Sequence, residues 1–433
     1  SDRTDNVNAA VDSVAVSGTG LSSVPGSLDN ATLQGYLSVS PTAILDGTET
    51  TDTLTWDFNS GAKAFDFLAD GETLVLTYAV NATDDDGTPL SDTETVTVTI
   101  TGTNDSPDVY VDTGDSAAET LGQTGATLTT SGTLTVDDFD LTDSVSSTVS
   151  NVAASGDTTG LASNNSELLA MLASTTSVID GTETTNTLTW DFNSGSETFD
   201  YLATGESLTL TYTITVTDSQ SATDTQNVVI TITGNNNAPV ITVETGDSAA
   251  ETLAETDATL TSTGTLTVTD ANLSDTVSST VTGVVSSGTT TGLGSDNAAL
   301  QTMLTSTGAV LDSSETSDQL TWNFNSGAEA FDYLANGESL TLTYTIEVTD
   351  SQGATDTQTV VITVNGTDDA PVITGGPDSS SLTETDSGLT DTGTVTIEDL
   401  DRSDNVAAAV DSVTVSGSGV ASVPGSLNNA TLQ

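Results

Sequence analysis

Oxygen is the only ligand chemistry this sequence offers. Histidine and cysteine are absent, which removes the commonest general bases, thiol nucleophiles and soft metal ligands. Asp and Glu number 63 against 3 Lys and Arg, a formal net charge of −60. Acidic and amide residues recur in two kinds of group. One kind precedes a proline: Asn104 and Asp105 before Pro107, Asn236 and Asn237 before Pro239, Asp368 and Asp369 before Pro371. The other kind lies downstream, as Asp138 and Asp140, Asp270 and Asn272, and Asp399 and Asp401. Calcium takes six to eight hard oxygen ligands from carboxylates, amides and carbonyls at about 2.3–2.6 Å. A linker group meeting the loop of the domain that follows would supply them, so Ca2+ at inter-domain junctions is the expected cofactor. The bland reading of the same residues is that Asn and Asp favour turns and that the charge serves solubility or a salty medium.

The middle junction departs from its neighbours. Asn236, Asn237 and Asn272 leave it fewer carboxylates, so it is expected to hold calcium least tightly and to bend first as calcium is withdrawn. Asp84-Asp85-Asp86-Gly87 is a further oxygen-rich turn. Paired carboxylates can hydrolyse glycosides, but each pair here sits in a repeated loop, whereas catalysis needs one pocket. The chain is read as a non-enzyme. With Arg3, Lys63 and Arg402 its only cations, it is also read as binding neither nucleic acid nor anionic membrane. No apolar run is long enough to insert into a bilayer.

The elements that must position these groups are strands. In 205–241 Leu208, Leu210, Tyr212, Ile214 and Val216 alternate with threonines, the period of a half-buried strand. A turn at DSQSATD and a second run, Val228 to Ile232, complete a hairpin that leads into the Asn-rich linker. The same passage begins at Gly71 and Gly337, and Pro107, Pro239 and Pro371 stand 132 residues apart each time. A period this long is a domain. Within each period one short helix is expected: SNNSELLAML has Ser163 or Asn164 to cap it and Leu168, Leu169, Met171 and Leu172 as its apolar face. Each repeat has its Trp, Phe and Tyr at repeating positions, the tryptophans being Trp56, Trp190 and Trp322. These residues, Trp190, Phe192, Phe199, Tyr201 and Tyr212 in the second repeat, read as core anchors. The fold class is all-β: tandem Ig-like β-sandwiches, each with one short helix, in an elongated array. Residues 1–107 read as a repeat lacking its first strands, 108–239 and 240–371 as complete repeats, and 372–433 as the N-terminal part of a fourth.

The hairpin and linker TYTITVTDSQ-x-ATDTQ-xx-VITITGNNNAPVI, its copy ending TGTNDSPDV, and the upstream LTxxGTLTVxDxxLxD segment resemble the VCBS repeat of very large bacterial surface proteins. They are similar also to the last strands and linker of cadherin-type domains and to the stalks of RTX adhesins. The resemblance covers nearly the whole chain, in three copies at fixed spacing. It implies extracellular stalk modules on a bacterial cell surface, frequently in calcium-dependent tandem arrays. By analogy with cadherin-like domains it adds Glu72, Glu206 and Glu338 as residues closing each site from the preceding domain.

The function expected is a structural segment of a long extracellular fibre or adhesin stalk, stiffened by calcium and mediating attachment or surface assembly. Its partners would be neighbouring repeats of the same chain or identical chains in a fibre. One alternative is a module that grips a surface glycan or a cell. Another is a self-assembling filament, sheath or surface-layer subunit. Residues 2–34 recur with few changes as 401–433, an offset of 399. The chain is therefore expected to be one register of a longer polymer, in which 372–399 of one copy and 1–107 of the next make a whole domain. A covalently continuous giant chain is favoured there over strand exchange between subunits.

Overall fold

The computed structural model describes residues 6–376 and 378–419. The copies of the recurring segment at 2–5 and 420–433 lie outside the described residues. The chain forms two compact units, Ser1–Asn235 and Asn236–Gln433.

In the first unit, residues 108–235 build a complete sandwich. One sheet has the order Ser177–Asp180, Ser144–Gly156, Ser207–Thr217, Thr223–Thr233, Ala118–Gly122, the last pair parallel. The facing sheet has the order Leu172–Ser174, Thr185–Asn193, Thr129–Asp137, Asp108–Tyr110. The alternation that predicts the hairpin is realised: Leu208, Leu210, Tyr212, Ile214 and Val216 are all fully buried while the intervening threonines are not. The second arm is longer than its apolar run, reaching back to Thr223, because each of its residues pairs across to Ser207–Thr217. Backbone pairing carries strand structure past the point where the hydrophobic signal stops.

A short helix, Asn165–Ala170, bridges the sheets as expected. Asn164 caps it, its side chain accepting from Ser166 and Glu167, and Glu167 reaches back to the Asn164 N–H. Leu168 is buried and its carbonyl accepts the Tyr212 hydroxyl at 3.0 Å. Trp190, Phe192, Phe199, Tyr201 and Tyr212 all join the core. Phe199 holds φ at 59°, with Phe65 and Phe331 at 66° in the equivalent loops. A bulky side chain in that region is strained, at a cost of order 1–3 kcal/mol.

Residues 6–101 form a barer sandwich. One sheet orders Ala43–Asp46, Asn6–Ser17, Thr73–Asp84, Ser91–Thr101; the other, among the described residues, pairs Leu37–Ser40 with Thr55–Phe58. Its tryptophan breaks the expectation of a core anchor in every repeat: Trp56 is 50% exposed, where Trp190 and Trp322 are fully buried. No strand among the described residues pairs with the outer edge of Thr55–Phe58.

In the second unit, Val240–Asn365 repeats the complete sandwich, with Trp322, Phe324, Phe331, Tyr333 and Tyr344 in its core. Beyond it Val372–Ile373 pairs with Ile397–Glu398 alone.

Candidate metal centres

The hairpin turn, the linker and the strand-end loop converge at one pole of each complete sandwich. In the first unit Asp138, Asp143 and Asp218 are all buried and each places a carboxylate oxygen within 4.8 Å of the other two. Asp140, fully buried, sits among them. Local hydrogen bonds set each side chain. The Asp138 carboxylate accepts the Asp140 N–H at 3.0 Å, and the Asp140 carboxylate accepts the Asp105 N–H at 2.8 Å. Asp218 accepts the N–H groups of Gln220 and Ala222, and the amide of Asn104 donates to its other oxygen at 2.9 Å. The linker is thereby tied to the loop and to the hairpin turn.

These bonds do not use every oxygen. Asn104 Oδ1, Asp138 Oδ2, Asp140 Oδ1 and Asp143 Oδ2 are buried and accept no hydrogen bond. Burial without a donor disfavours the charged form, which pushes Asp138 up to about 6 and Asp140 up to about 7. Asp143 is raised by burial and Asp105 by burial and by Asp66. Orphaned, convergent, hard oxygens fit a divalent cation with an oxygen preference.

The second unit repeats the arrangement with two carboxylates fewer, Asn237 and Asn272 standing in place of Asp105 and Asp140. Asp270, Asp275 and Asp350 form the buried trio. The Asn236 amide donates to Asp350 at 2.8 Å, the Asn237 N–H donates to Asn272 Oδ1 at 2.6 Å, and Asn272 N–H donates to Asp270 at 3.0 Å. Burial raises Asp270 to about 6, and its Oδ2 and Asn236 Oδ1 accept nothing. A third group, Asp368, Asp401 and Asp404, also places three carboxylate oxygens within 4.8 Å, with the Asp369 N–H on Asp401 at 2.6 Å and the Asp401 N–H on Asp399 at 3.1 Å. Asp369 is raised to about 6, by burial and then by Glu255.

The linker and loop residues singled out from sequence are thus brought together. Asp143, Asp275 and Asp404, and the turn residues Asp218 and Asp350, were missed. The glutamates stand differently. Glu72, Glu206 and Glu338 each turn one oxygen onto an N–H three residues back, at Ala69, Ala203 and Ala335. Glu72 also accepts the Thr142 hydroxyl at 3.3 Å, beside Asp143. The Asp84-Asp85-Asp86 turn does not gather: Asp85 takes the backbone and side-chain N–H groups of Asn6, which lowers its pKa.

A further acidic trio, whose members sequence reasoning did not single out, lies at the other pole of the 240–365 sandwich, beside Asp369. Glu255, Asp257 and Asp332 put oxygens within 4.8 Å of one another. Glu255 is 1% exposed; Thr367 donates to its Oε2 from both hydroxyl and N–H, and its Oε1 accepts nothing. Separately, a shallow cleft of about 650 Å³ between the Asn165–Ala170 helix and the Asn193-Ser194-Gly195 turn has no aromatic among its lining residues.

No family model matches the sequence, and no curated protein does. Among solved structures the chain is similar to extracellular cadherin domains 1–5 of protocadherin gamma B2: 12% identity, TM-score 0.34, covering 90% of this chain and 60% of that one. It is similar also to mouse protocadherin-24 EC1-3 (12%, TM-score 0.30, 82% and 91%) and to the human desmocollin-1 ectodomain (12%, TM-score 0.27, 85% and 56%). Among the described residues no helix is long and apolar enough to cross a membrane.

Proposed function

We propose that this chain is a calcium-stiffened segment of an extracellular fibre or adhesin stalk, and that its work is mechanical. The observation that carries the reading is the set of buried oxygens without donors at Asn104, Asp138, Asp140 and Asp143. Asp138, Asp140, Asp143 and Asp218 are gathered there with no lysine or arginine paired to them among the described residues, and a bound Ca2+ would complete them. Asp138, Asp140, Asp143, Asp218 and Asn104 would hold the ion in the first unit. Asp270, Asp275, Asp350 and Asn236 would do so in the second. The ion would neutralise the buried charge and lock linker, loop and hairpin turn into one body. Attachment at a bacterial surface, with identical chains or neighbouring repeats as partners, extends this reading through the VCBS-like hairpins.

Differential scanning calorimetry and small-angle scattering in calcium, and in excess chelator at matched ionic strength, test it. Binding to the folded state alone adds about 2.7 kcal/mol per site at a hundred times Kd. An unchanged melting temperature together with an unchanged scattering profile would refute calcium stiffening.

A further inference from the structure

Asparagine is followed by glycine at two places in the sequence, Asn336-Gly337 and Asn365-Gly366. A glycine nitrogen, unhindered by a side chain, can attack the amide carbon of the asparagine before it, and the backbone decides whether it does. Both asparagines are exposed, so exposure does not separate the two pairs. Their hydrogen bonding does. Asn365 closes the strand Thr355–Asn365, paired with Ser339 on one side and Ala254 on the other. Its carbonyl accepts the Glu255 N–H at 2.8 Å, and the Gly366 N–H donates to the Glu338 carbonyl at 3.0 Å. Gly366 is also tightly held: a Cβ there would run into the Leu334 and Ala335 carbonyl oxygens.

Asn336-Gly337 lies instead in a turn, closed by the Glu338 N–H on the Ala335 carbonyl at 2.9 Å. Gly337 holds φ at 92°, a conformation that glycine adopts at little cost. Its N–H donates to no acceptor among the described residues, and beyond its chain neighbours nothing lies within 4 Å of the place a Cβ would take. No strand ladder has to open before this nitrogen can move. The position also differs from repeat to repeat: the first has Asp70 there and the second Thr204. Burial raises Asp143, and the charges of Asp218, Glu72 and Asp70 add to it. Burial likewise raises Asp404, and there Asp401, Asp368, Asp399 and Glu338 add to it, while Asn336 brings no charge.

We propose that Asn336-Gly337 is a self-modification site, at which the folded chain converts the amide of Asn336 to a carboxylate. The Gly337 nitrogen bonds to the side-chain carbonyl carbon of Asn336 and gives up its proton. The bond from that carbon to the amide nitrogen breaks, and ammonia leaves. Water then opens the resulting cyclic imide at either carbonyl, giving aspartate or isoaspartate. Each product adds one negative charge, and no oxidant, cofactor or second protein takes part. The new carboxylate would stand to Glu338 and Asp404 as Asp70 stands to Glu72 and Asp143. With age the third acidic group thus takes on the charge pattern of the first. A more highly charged oxygen site holds calcium more tightly. This last consequence rests on the calcium reading; the conversion does not.

The test is peptide mass mapping of the 433-residue chain, aged at neutral pH both folded and in denaturant. In denaturant both pairs lie in flexible chain and should convert at similar rates. In the folded chain Asn336 should gain one mass unit, with isoaspartyl methyltransferase labelling the isoaspartate. Asn365 should convert at least about tenfold more slowly, because its ladder must open first. Asn336→Thr, which installs the residue of the second repeat, should abolish the change in that peptide. An Asn336 that keeps its amide in the folded chain through an incubation that converts it in denaturant overturns the proposal. So does conversion of Asn365 in the folded chain as fast as that of Asn336. Calcium titration of Asn336→Asp against Asn336→Thr reads the consequence: the aspartate variant should bind more tightly, and equal binding overturns the gain in affinity. Absence of calcium binding in both variants would refute the calcium reading and this gain with it, while the mass shift still decides the conversion.

Discussion

Gln123 and Glu255 occupy the same position of the two complete sandwiches, 132 residues apart, and the structures around them diverge. At the first position the Gln123 amide donates to Asp200, whose other oxygen takes the Thr198 hydroxyl at 2.7 Å, and Gly125 adds no charge. At the second, Asp257 stands in place of Gly125, Asp332 matches Asp200, and an ionised Glu255 has no hydrogen to give. One donor occupies an Asp200 oxygen at the first site, although Gln123 Oε1 is itself buried and accepts nothing. The second site has no such donor and gathers three converging carboxylates, with Glu255 Oε1 likewise buried and accepting nothing. The two places thus differ by an amide for a carboxylate and a glycine for an aspartate, and the second gathers three carboxylates where the first has an amide bonded to one.

The strongest way to break the contrast is to install the cradle where it is missing. Gln123→Glu with Gly125→Asp should cost about 3 kcal/mol in chelator, because a buried carboxylate is left facing Asp200 without compensation. Calcium should recover most of it. Hydrogen exchange in the Thr185–Asn193 strand reads the effect locally; no calcium recovery there would mean that the trio is not a cation site. The reverse exchange, Glu255→Gln, should erase the calcium-dependent protection of Ser317–Asn325. That protection amounts to about 2.7 kcal/mol at a hundred times Kd. Protection that survives the exchange would assign it to Asp270, Asp275 and Asp350 instead.

pH offers a gentler test that runs the opposite way. Burial raises Asp138 and Asp140 from 3.8 to about 6 and about 7, whereas the other sandwich has Asp270 at about 6 and a neutral Asn272. A carboxyl whose folded pKa lies above its unfolded value contributes stability below the unfolded pKa, and that contribution is lost as pH rises through the folded pKa. In chelator, between about pH 4 and 7, the 108–235 sandwich should therefore lose more stability than the 240–365 sandwich. Calcium should flatten both profiles, since it favours the ionised forms. Equal slopes in chelator would contradict the assignment. The smallest difference lies in the helices: Asn164 caps with Glu167 in a reciprocal pair, while Asp296 caps opposite Ala299. Asn164→Ala and Asp296→Ala should each cost about 1 kcal/mol, and Ala299→Glu should return a few tenths, by thermal melting.

The sandwich was legible because its signals are local and repeated. Leu208 to Val216 alternate, Asn164 announces the helix, and the linkers recur at fixed spacing. Asn104, Asp138 and Asp140 were legible for the same reason. Asp143 and Asp275 could have been found from the spacing Asp138–Asp140–Asp143, which returns as 270–272–275 and 399–401–404. Asp218 and Asp350 were hidden because an aspartate opening a turn is explained by the turn itself, and both do accept turn N–H groups. Glu255 was hidden by the repeat, since Gln123 at the matching position makes the glutamate look incidental. Trp56 was counted with its counterparts because a sequence motif names an indole without saying what lies on it.

The left-handed phenylalanines bear on how a cation would be received. Phe65, Phe199 and Phe331 sit at φ 59–66° immediately before Asp66, Asp200 and Asp332, whichever side chains happen to surround those aspartates. The unfavourable backbone turn is enforced by a ring packed in the core, so it is made when the sandwich folds and not when an ion arrives. An acidic loop fixed in this way has little conformational freedom left to surrender on binding. Withdrawal of calcium would return it to the same loop, charged and empty, ready for the next ion.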